Sequence, residues 1–496
     1  MDIAFSTIKE LRKALDDRQV SAVELAKFFL ARIKKFEPQL HAFITITEEE
    51  ALKQADEADE AIAKGEQGML TGIPYAAKDL FSTRGIKTTA ASKILENFVP
   101  VYDATVIRKL KEQKAVLLGK TNLDQFAHGS STETSYFGPT HNPWDLERIP
   151  GGSSGGSTAA VAAGLIPFAL ATETGGSIRQ PASLCGISGW KPTYGRVSRY
   201  GVISMTSSTD SIGTVARSAE DMASTAEILS GFDPFDSTTS KQQIKRWSQT
   251  PHNSLKNFKI GIPKEYFTPG MEEDVEKQVK EAIEQIRRLG AEILQVSLPL
   301  TAYGSMVYAI VTPSEVSSNL SRYDGIKYGH ISKDAHDLYE IYTKSRGEGF
   351  GDEAKRRIMT GAYALSAGYR DAYYLKAQKV RRLIVNEFND VFKKVDVLLC
   401  PSSPNVAIKI GGAADNPLFG YIADQLNIPG ALAGLPALSI PCGFGKPKDG
   451  AKVLLPAGLQ IIGPQWGEDK IFKVGMAYQK VTDWHKKHPE QYSSPL

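Results

Sequence analysis

The spacing of apolar residues along the chain predicts several helices. Residues 21–24 (SAVE) form a capping box, and the apolar spacing after it continues to about Phe36. Residues 48–64 are polar and rich in alanine, a composition that also favours a helix. Helical spacing recurs later in the chain, at residues 271–289 and over a long stretch at residues 352–394.

Short apolar or alternating runs between these helices predict β-strands. They lie at residues 42–47, 73–77, 115–119, 166–171, 258–262, 293–298, 395–400, 437–440 and 459–462. Strands that alternate with helices indicate an α/β fold with a largely buried sheet. Because the composition never changes sharply, we expect one domain over residues 1–496. We also expect an N-terminal helical segment at residues 1–70 and a polar surface excursion at residues 231–256.

The charge balance and the cysteine content exclude several classes of protein. The chain has 59 Lys and Arg against 56 Asp and Glu, a net charge of +3, so it shows no strong electrostatic footprint for nucleic acid. Cys185, Cys400 and Cys442 are far apart, and the histidines show no ligand spacing, so neither a disulfide scaffold nor a metal site is indicated. Neither a signal peptide nor a membrane-length apolar run is apparent. We therefore expect a cytoplasmic protein that does not bind a membrane.

Three short motifs carry the candidate chemistry. Residues 151–157 read GGSSGGS, residues 172–181 read TETGGSIRQP, and Lys78 follows the apolar run of residues 73–77. A glycine-serine run is common in flexible linkers, and a lone lysine is common in solvated turns. Here, however, the first run is followed directly by a small-residue helix pattern and a strand pattern, which argues against a linker.

Two serines and a lysine can form a hydrolytic site without histidine. A buried lysine can lose its proton and act as a base, and glycines beside a serine let the backbone approach a carbonyl group. The GGSSG run also satisfies the nucleophile-elbow pattern of α/β-hydrolases. That motif requires a preceding strand, whereas residues 142–150 read as a loop.

The chain resembles the amidase signature family over about residues 5–488, and residues 151–181 are similar to the family's signature stretch. Supporting stretches lie at residues 120–127, 129–137, 191–201 and 458–463. The resemblance implies one large mixed β-sheet flanked by α-helices. It also implies that residues 71–220 contain the catalytic core.

The resemblance further implies a Ser-Ser-Lys catalytic set. In it Ser177 is the nucleophile, Ser153, on a cis peptide bond, is the bridging residue, and Lys78 is the base. Thr174, Gly175 and Gly176 are expected to form the oxyanion hole, because the successive backbone N–H groups from Thr174 to Ser177 can converge on one oxygen. For Ser154 a hydrogen-bonding role and a structural turn are equally plausible, and Arg179 is expected to anchor the loop.

Three downstream residues match glutamine-recognition positions of the glutaminase subunits that the chain resembles most within the family. These are Tyr308, Arg357 and Asp424. An arginine can clamp the carboxylate of a free amino acid, and an aspartate can pair with its ammonium group. Each residue alone is more often an ordinary residue on a surface or helix face, so only the joint match supports this interpretation.

The function implied is that of a glutaminase subunit in a tRNA-dependent amidotransferase. Such a subunit hydrolyses glutamine and passes ammonia to partner subunits B and C for transamidation of Glu-tRNA(Gln) or Asp-tRNA(Asn). This chain would need no cofactor, the partner would use ATP and Mg²⁺, and tRNA would be bound mainly by the partner. Two alternatives remain open: a stand-alone amidase acting on other amides or carbamates, and an inactive scaffold subunit.

Several residues depart from the family pattern near the site. Glu173 stands where the family has aspartate, and Gln125 and His128 stand where glutamate and methionine are expected. Residues 207–214 (SSTDSIGT) also differ from the usual run. These changes bear on substrate scope and on the transfer of ammonia more than on the Ser-Ser-Lys chemistry.

Overall fold

One mixed β-sheet runs through the chain in the computed structural model, which describes residues 2–267, 269–412, 416 and 418–493. Eleven strands of this described part form the sheet, which confirms the predicted α/β class. In chain order they are Phe43–Ile46 (β1), Pro74–Lys78 (β2), Val116–Thr121 (β3), Phe168–Glu173 (β4), Ser188–Lys191 (β5), Ser211–Ala216 (β6), Lys259–Pro263 (β7), Glu292–Val296 (β8), Val397–Pro401 (β9), Ala437–Gly445 (β10) and Leu455–Ile462 (β11).

The strand order across the sheet is β1-β3-β2-β4-β6-β5-β10-β11-β9-β7-β8. The strands β3, β2 and β4 run parallel to one another, and so do β9, β7 and β8. The remaining neighbours are antiparallel. Two parallel segments are therefore joined through an antiparallel centre.

Helices cover the sheet. They are Ile8–Asp16 (α1), Ala22–Leu40 (α2), Glu48–Lys64 (α3), Thr105–Glu112 (α4), Gly155–Ala162 (α5), Arg179–Cys185 (α6), Ala219–Leu229 (α7), Glu273–Arg288 (α8), Gly304–Asn319 (α9), Leu338–Gly349 (α10), Asp352–Leu365 (α11), Lys376–Phe392 (α12), Phe419–Ala423 (α13), Ile428–Leu432 (α14) and Glu468–Val481 (α15). The predicted capping box is present, with Ser21 and Glu24 bonded reciprocally at the start of α2. Among the described helices, none combines the length and the apolar character needed to cross a bilayer.

The core lies on both faces of the sheet. Every residue of β2, β3, β4, β6, β9 and β11 is buried. Because successive side chains of a strand point to opposite faces, complete burial requires a covering layer on each side. This burial explains why several strands read as continuous apolar runs in the sequence.

The topology places the candidate catalytic motifs at one edge of the sheet. Strands β2 and β4 are parallel neighbours, with Tyr75 opposite Phe168 and Ala77 opposite Leu170. The carboxyl ends of parallel strands meet at the same edge, where open α/β sheets usually bind ligands. The residue Lys78 ends β2, and the loop with Ser177 follows β4, so the two motifs converge there.

One predicted helix is wrong in extent, and two strands were missed. The stretch 352–394 is not one continuous helix. The helix α11 ends at Leu365, and Gly368 then adopts a left-handed conformation (φ 86°). The chain becomes helical again only at Asp371. The strands β5 and β6 have no clear apolar run in the sequence. The residue Gly213 in β6 shows why: a Cβ atom there would lie 1.9 Å from the Trp190 carbonyl oxygen, so close strand contact requires glycine.

Candidate active site

The ammonium or amine group of Lys78 lies at the centre of a hydroxyl cluster. Its Nζ is 2.8 Å from Ser153 Oγ, 2.9 Å from Ser154 Oγ and 3.0 Å from Thr172 Oγ1. The lysine side chain is completely buried at the end of β2. The lysine and the first serine of the predicted catalytic set are therefore in hydrogen-bond contact.

Burial lowers the pKa of Lys78 from its ordinary 10.5 to about 7. The negative charges of Asp124, Asp210 and Glu173 oppose this shift without cancelling it. Within the described chain no carboxylate is bonded to Nζ, whose neighbours are neutral hydroxyls. Near neutral pH a large fraction of Lys78 is thus uncharged and able to accept a proton.

The segment that carries Ser153 is held in an unusual backbone conformation. The Gly152–Ser153 peptide bond is cis, as the resemblance implies. The Gly152 N–H donates to Gln180 Oε1 at 3.0 Å, and a Cβ atom at Gly152 would lie 2.2 Å from Asp124 Oδ2. A glycine is required at this position because no side chain fits between these groups.

The loop after β4 is fixed by a buried ion pair between Glu173 and Arg179. Glu173 Oε2 accepts from the N–H groups of Ile178 and Arg179 at 3.1 and 3.2 Å. The Arg179 guanidinium donates to the carbonyl groups of Gly175 and Asn427, both at 3.0 Å. This confirms that Arg179 anchors the loop, and it shows that the departure at Glu173 preserves an acceptor for it.

The anchored loop presents Ser177 with free hydrogen-bonding groups. The Ser177 carbonyl accepts from the Ser154 N–H at 3.2 Å, which joins the two serine motifs through the backbone. Among the described residues, the N–H groups of Gly175, Gly176 and Ser177 have no protein acceptor, and Ser177 Oγ makes no hydrogen bond, not even to the Ser153 hydroxyl. These groups therefore remain available to a substrate.

Two of the three predicted substrate residues contact this loop directly. Tyr308, on α9, places its hydroxyl 2.7 Å from Thr174 Oγ1. Asp424 faces Gly176 so closely that a Cβ atom there would be 2.0 Å from Asp424 Oδ1. The structure therefore brings residues from α9 and the end of α13 together around the loop that follows β4.

Asp424 keeps one oxygen without a partner. Oδ2 accepts from Ser130 Oγ at 2.8 Å, whereas the buried Oδ1 has no partner among the described residues. Burial raises the pKa of Asp424 to about 7, and the nearby negative charge of Glu173 adds to the shift. A cation bound at Oδ1 would stabilise the ionised carboxylate.

Arg357 lies on α11 and has a matching free donor. Its Nε donates to Glu353 Oε1 at 2.7 Å, while its buried Nη1 has no partner within the described chain. The guanidinium lies 5.9 Å from the centre of the Tyr421 ring. Arg357, Tyr421 and Ser130 all line one cavity of about 630 Å³. Arg357 thus keeps one donor, Nη1, without a partner among the described residues, and the cavity that it lines is also lined by Ser130, the hydrogen-bond donor to Asp424.

Comparison with known proteins identifies the family. The family model described as Amidase matches residues 24–472. The chain belongs to the amidase signature family. One relative of this amidase is the A subunit of the glutamyl-tRNA(Gln) amidotransferase from Thioalkalivibrio sulfidiphilus. The two are 52% identical over 486 residues, which cover 98% of this chain and 99% of the relative.

Solved structures agree with this assignment. The crystal structure of the A subunit of a glutamyl-tRNA(Gln) amidotransferase from Thermotoga maritima matches this amidase with a TM-score of 0.78 and 40% identity, covering 97% of this chain and 96% of that one. A peptide amidase from Stenotrophomonas maltophilia matches with a TM-score of 0.82 and 28% identity, covering 96% of each chain. The amidase-signature fold expected from the sequence is therefore confirmed.

Some contact residues of this amidase were not singled out from the sequence. Thr172 contacts Lys78, and Ser130 contacts Asp424. Thr172 could have been noticed as a polar residue near the end of a buried strand, although nothing local indicates its contact with Lys78. Ser130 lies in a stretch that resembles the family, but nothing in its sequence context indicates a contact with residue 424. Ser154, for which two interpretations were equal, does bond to Lys78.

Proposed function

We propose that this amidase is the glutaminase subunit of a tRNA-dependent amidotransferase. It hydrolyses glutamine to glutamate and ammonia for the transamidation of Glu-tRNA(Gln) or Asp-tRNA(Asn). The observation that carries the proposal is a pair of buried atoms without partners among the described residues: Asp424 Oδ1, which faces Gly176 of the Ser177 loop, and Arg357 Nη1, whose residue lines the cavity that Ser130 also lines. These groups have the charges needed for the two ends of a free amino acid. The similarity to A subunits of glutamyl-tRNA(Gln) amidotransferases supports the same function.

Acylation begins with proton transfer away from Ser177. Neutral Lys78 accepts the proton of Ser153 Oγ, which lies 2.8 Å from it, and Ser153 Oγ takes the proton of Ser177 as that oxygen attacks the carboxamide carbon. The free N–H groups of Gly175 and Gly176, together with that of Thr174, receive the negative charge that develops on the carbonyl oxygen. The anchored loop holds these donors in position before the substrate binds.

Collapse of the tetrahedral intermediate breaks the C–N bond. Ser153 returns a proton to the departing nitrogen and recovers one from Lys78, so ammonia leaves and Ser177 carries the glutamyl acyl group. A water molecule then attacks the ester with the same Lys78 and Ser153 acting as base, which releases glutamate and restores Ser177. At the end of the cycle Ser177, Ser153 and Lys78 each have the same protonation state as at the start.

Substrate binding uses the other end of glutamine. Arg357 binds the α-carboxylate, Asp424 binds the α-ammonium group, and Tyr308 contacts Thr174 and borders the carbonyl site. Since a neutral amide lacks both charges, this arrangement favours glutamine.

The proposal assigns further roles to partners. Subunits B and C would receive the ammonia, activate the mischarged tRNA with ATP and Mg²⁺, and bind most of the tRNA. This chain would work without a cofactor, as part of a carbon–nitrogen ligase complex in protein biosynthesis. A cytoplasmic location follows from this role, and three buried, unpaired cysteines agree with it.

Coexpression tests the proposed function directly. We expect the chain to coelute with subunits B and C in gel filtration and the complex to release ammonia from glutamine. A chain that elutes alone, hydrolyses simple amides and ignores glutamine would instead be a stand-alone amidase. The structural similarity to a peptide amidase makes this the relevant rival.

Loss of either charged group should weaken glutamine binding. We expect Arg357→Ala and Asp424→Ala each to raise the KM for glutamine by roughly 10- to 150-fold, because each removes a charge-assisted contact far from the scissile bond. Hydrolysis of a neutral test amide should be spared. Since Asp424 is protonated below its pKa of about 7, the wild-type KM should also rise as the pH falls through that value.

The exposed pair Arg370 and Asp371 offers matched controls, because it lies outside the cavity. Arg370→Ala and Asp371→Ala should leave the KM unchanged. An unchanged glutamine KM in both cavity variants would remove these residues from substrate recognition.

A further inference from the structure

His128 is a buried histidine without partners among the described residues. Its side chain has no exposed surface, and neither Nδ1 nor Nε2 has a hydrogen-bond partner in that part of the chain. Buried polar atoms are nearly always satisfied, and leaving one unpaired costs stability. Because both ring nitrogens of His128 lack a partner among the described residues, a bound ligand is a natural hydrogen-bond partner for one of them.

The position of the ring indicates which ligand group this is. His128 and Arg357 line the same cavity of about 630 Å³, and the unpartnered Arg357 Nη1 is buried there as well. Burial, together with the positive charge of Arg357, holds the pKa of His128 well below its ordinary 6.5. The imidazole is thus neutral, with one N–H donor and one acceptor nitrogen. A donor beside an arginine suits an anionic group.

The backbone around His128 is tied by hydrogen bonds to the helix that carries Arg357. Phe126 and Ala127 adopt left-handed conformations, and the His128 N–H donates to the Gln125 carbonyl at 2.9 Å. Gln125 Oε1 accepts from the Gly351 N–H, at the start of α11, at 2.7 Å. Gln125 and His128, which both depart from the family pattern, therefore lie in one turn. Hydrogen bonds through Gln125 connect this turn to the start of the helix that carries Arg357.

We propose that His128 is a specificity-determining residue, which donates a ring N–H to the substrate α-carboxylate beside Arg357. This inference rests on the proposed function and adds a second donor to the carboxylate subsite. The methionine expected at this position carries no N–H donor, so the histidine gives this chain a polar contact that the family pattern lacks. Because the donor is neutral, it adds no second positive charge next to Arg357.

Steady-state glutaminase kinetics on the full-length chain, in its complex with subunits B and C, test the proposal. We expect His128→Met to raise the glutamine KM about 10- to 100-fold while kcat changes much less, because a donor to a charged group is lost far from the reacting bond. Either His128→Asn or His128→Gln, whose amide N–H can replace one ring nitrogen, should recover most of the affinity. His252→Met, in the polar segment 231–256, is the matched control and should retain the wild-type KM.

The outcomes distinguish the role of His128 from the glutaminase function. A wild-type KM in folded His128→Met, or equal KM values in the Met, Asn and Gln variants, would overturn the role of His128 while leaving the glutaminase function intact. A fall in kcat with unchanged KM would also overturn it. A wild-type complex that hydrolyses other amides but not glutamine would overturn the proposed function, and this inference with it.

Discussion

Replacement of Ser177 with alanine is expected to lower the rate of glutamine hydrolysis by roughly 10⁴- to 10⁶-fold, as loss of the nucleophile does in other serine hydrolases. The reason is structural. Ser177 Oγ makes no hydrogen bond to the described residues, and it follows two glycines whose N–H groups are free. Ammonia release by the purified variant, measured with circular dichroism as a check of folding, provides the test.

Ser157→Ala is the matched control for this change. Ser157 is a buried, glycine-preceded serine of the same stretch, but its hydroxyl bonds to the Leu170 carbonyl at 3.1 Å and to Thr121. We expect this variant to keep most of the activity and lose some stability. More than a few per cent of wild-type activity in folded Ser177→Ala would exclude Ser177 as the nucleophile.

Lys78→Arg should be as damaging as Lys78→Ala. Arginine stays protonated at any working pH, so it cannot accept the proton of Ser153. In the wild type, kcat at saturating glutamine should rise with pH through about 7, because Lys78 is a base only above its lowered pKa. The two variants and the wild-type pH profile can be measured with the same ammonia assay.

Lys191 provides the control for this experiment. It is also fully buried, and burial lowers its pKa to about 7, but its Nζ donates to the carbonyl groups of Pro192 and Leu435. An arginine can make both bonds, so Lys191→Arg should preserve the pH dependence of kcat. An active Lys78→Arg variant would show that residue 78 is only an electrostatic or structural cation.

The strands with strong apolar runs were predictable because burial on both faces imposes a continuous hydrophobic sequence. The strands β2, β3, β9 and β11 are of this kind, and their predicted positions are confirmed within a few residues. The strands β5 and β6 were missed because they are rich in glycine, serine and threonine. Their pairing depends on close approach between neighbouring strands, and a local pattern does not report that approach. The division into a segment at residues 1–70, a core at 71–220 and an excursion at 231–256 stays a prediction.

The candidate site also has residues that the sequence indicates and contacts that it does not. Lys78, Ser153 and Ser177 belong to short motifs with unusual spacing, so the amino-acid sequence alone was enough to nominate them. Their catalytic roles were implied by the family resemblance and stay predictions. The contact of Lys78 with Thr172, and that of Ser130 with Asp424, joins residues far apart in the chain, and no local signal predicts either pairing. The unpaired state of His128 is likewise a property of its surroundings.

The sequence by itself determined the α/β class and the family resemblance, and it nominated the candidate catalytic side chains, because periodicity and motif spacing are local properties. Only the tertiary structure decided that Lys78 loses its charge near neutral pH, since desolvation depends on everything packed around it. It also decided which buried atoms of Arg357, Asp424 and His128 are left without partners among the described residues. Hydrogen-bond satisfaction is settled by long-range packing, which a local sequence pattern does not report.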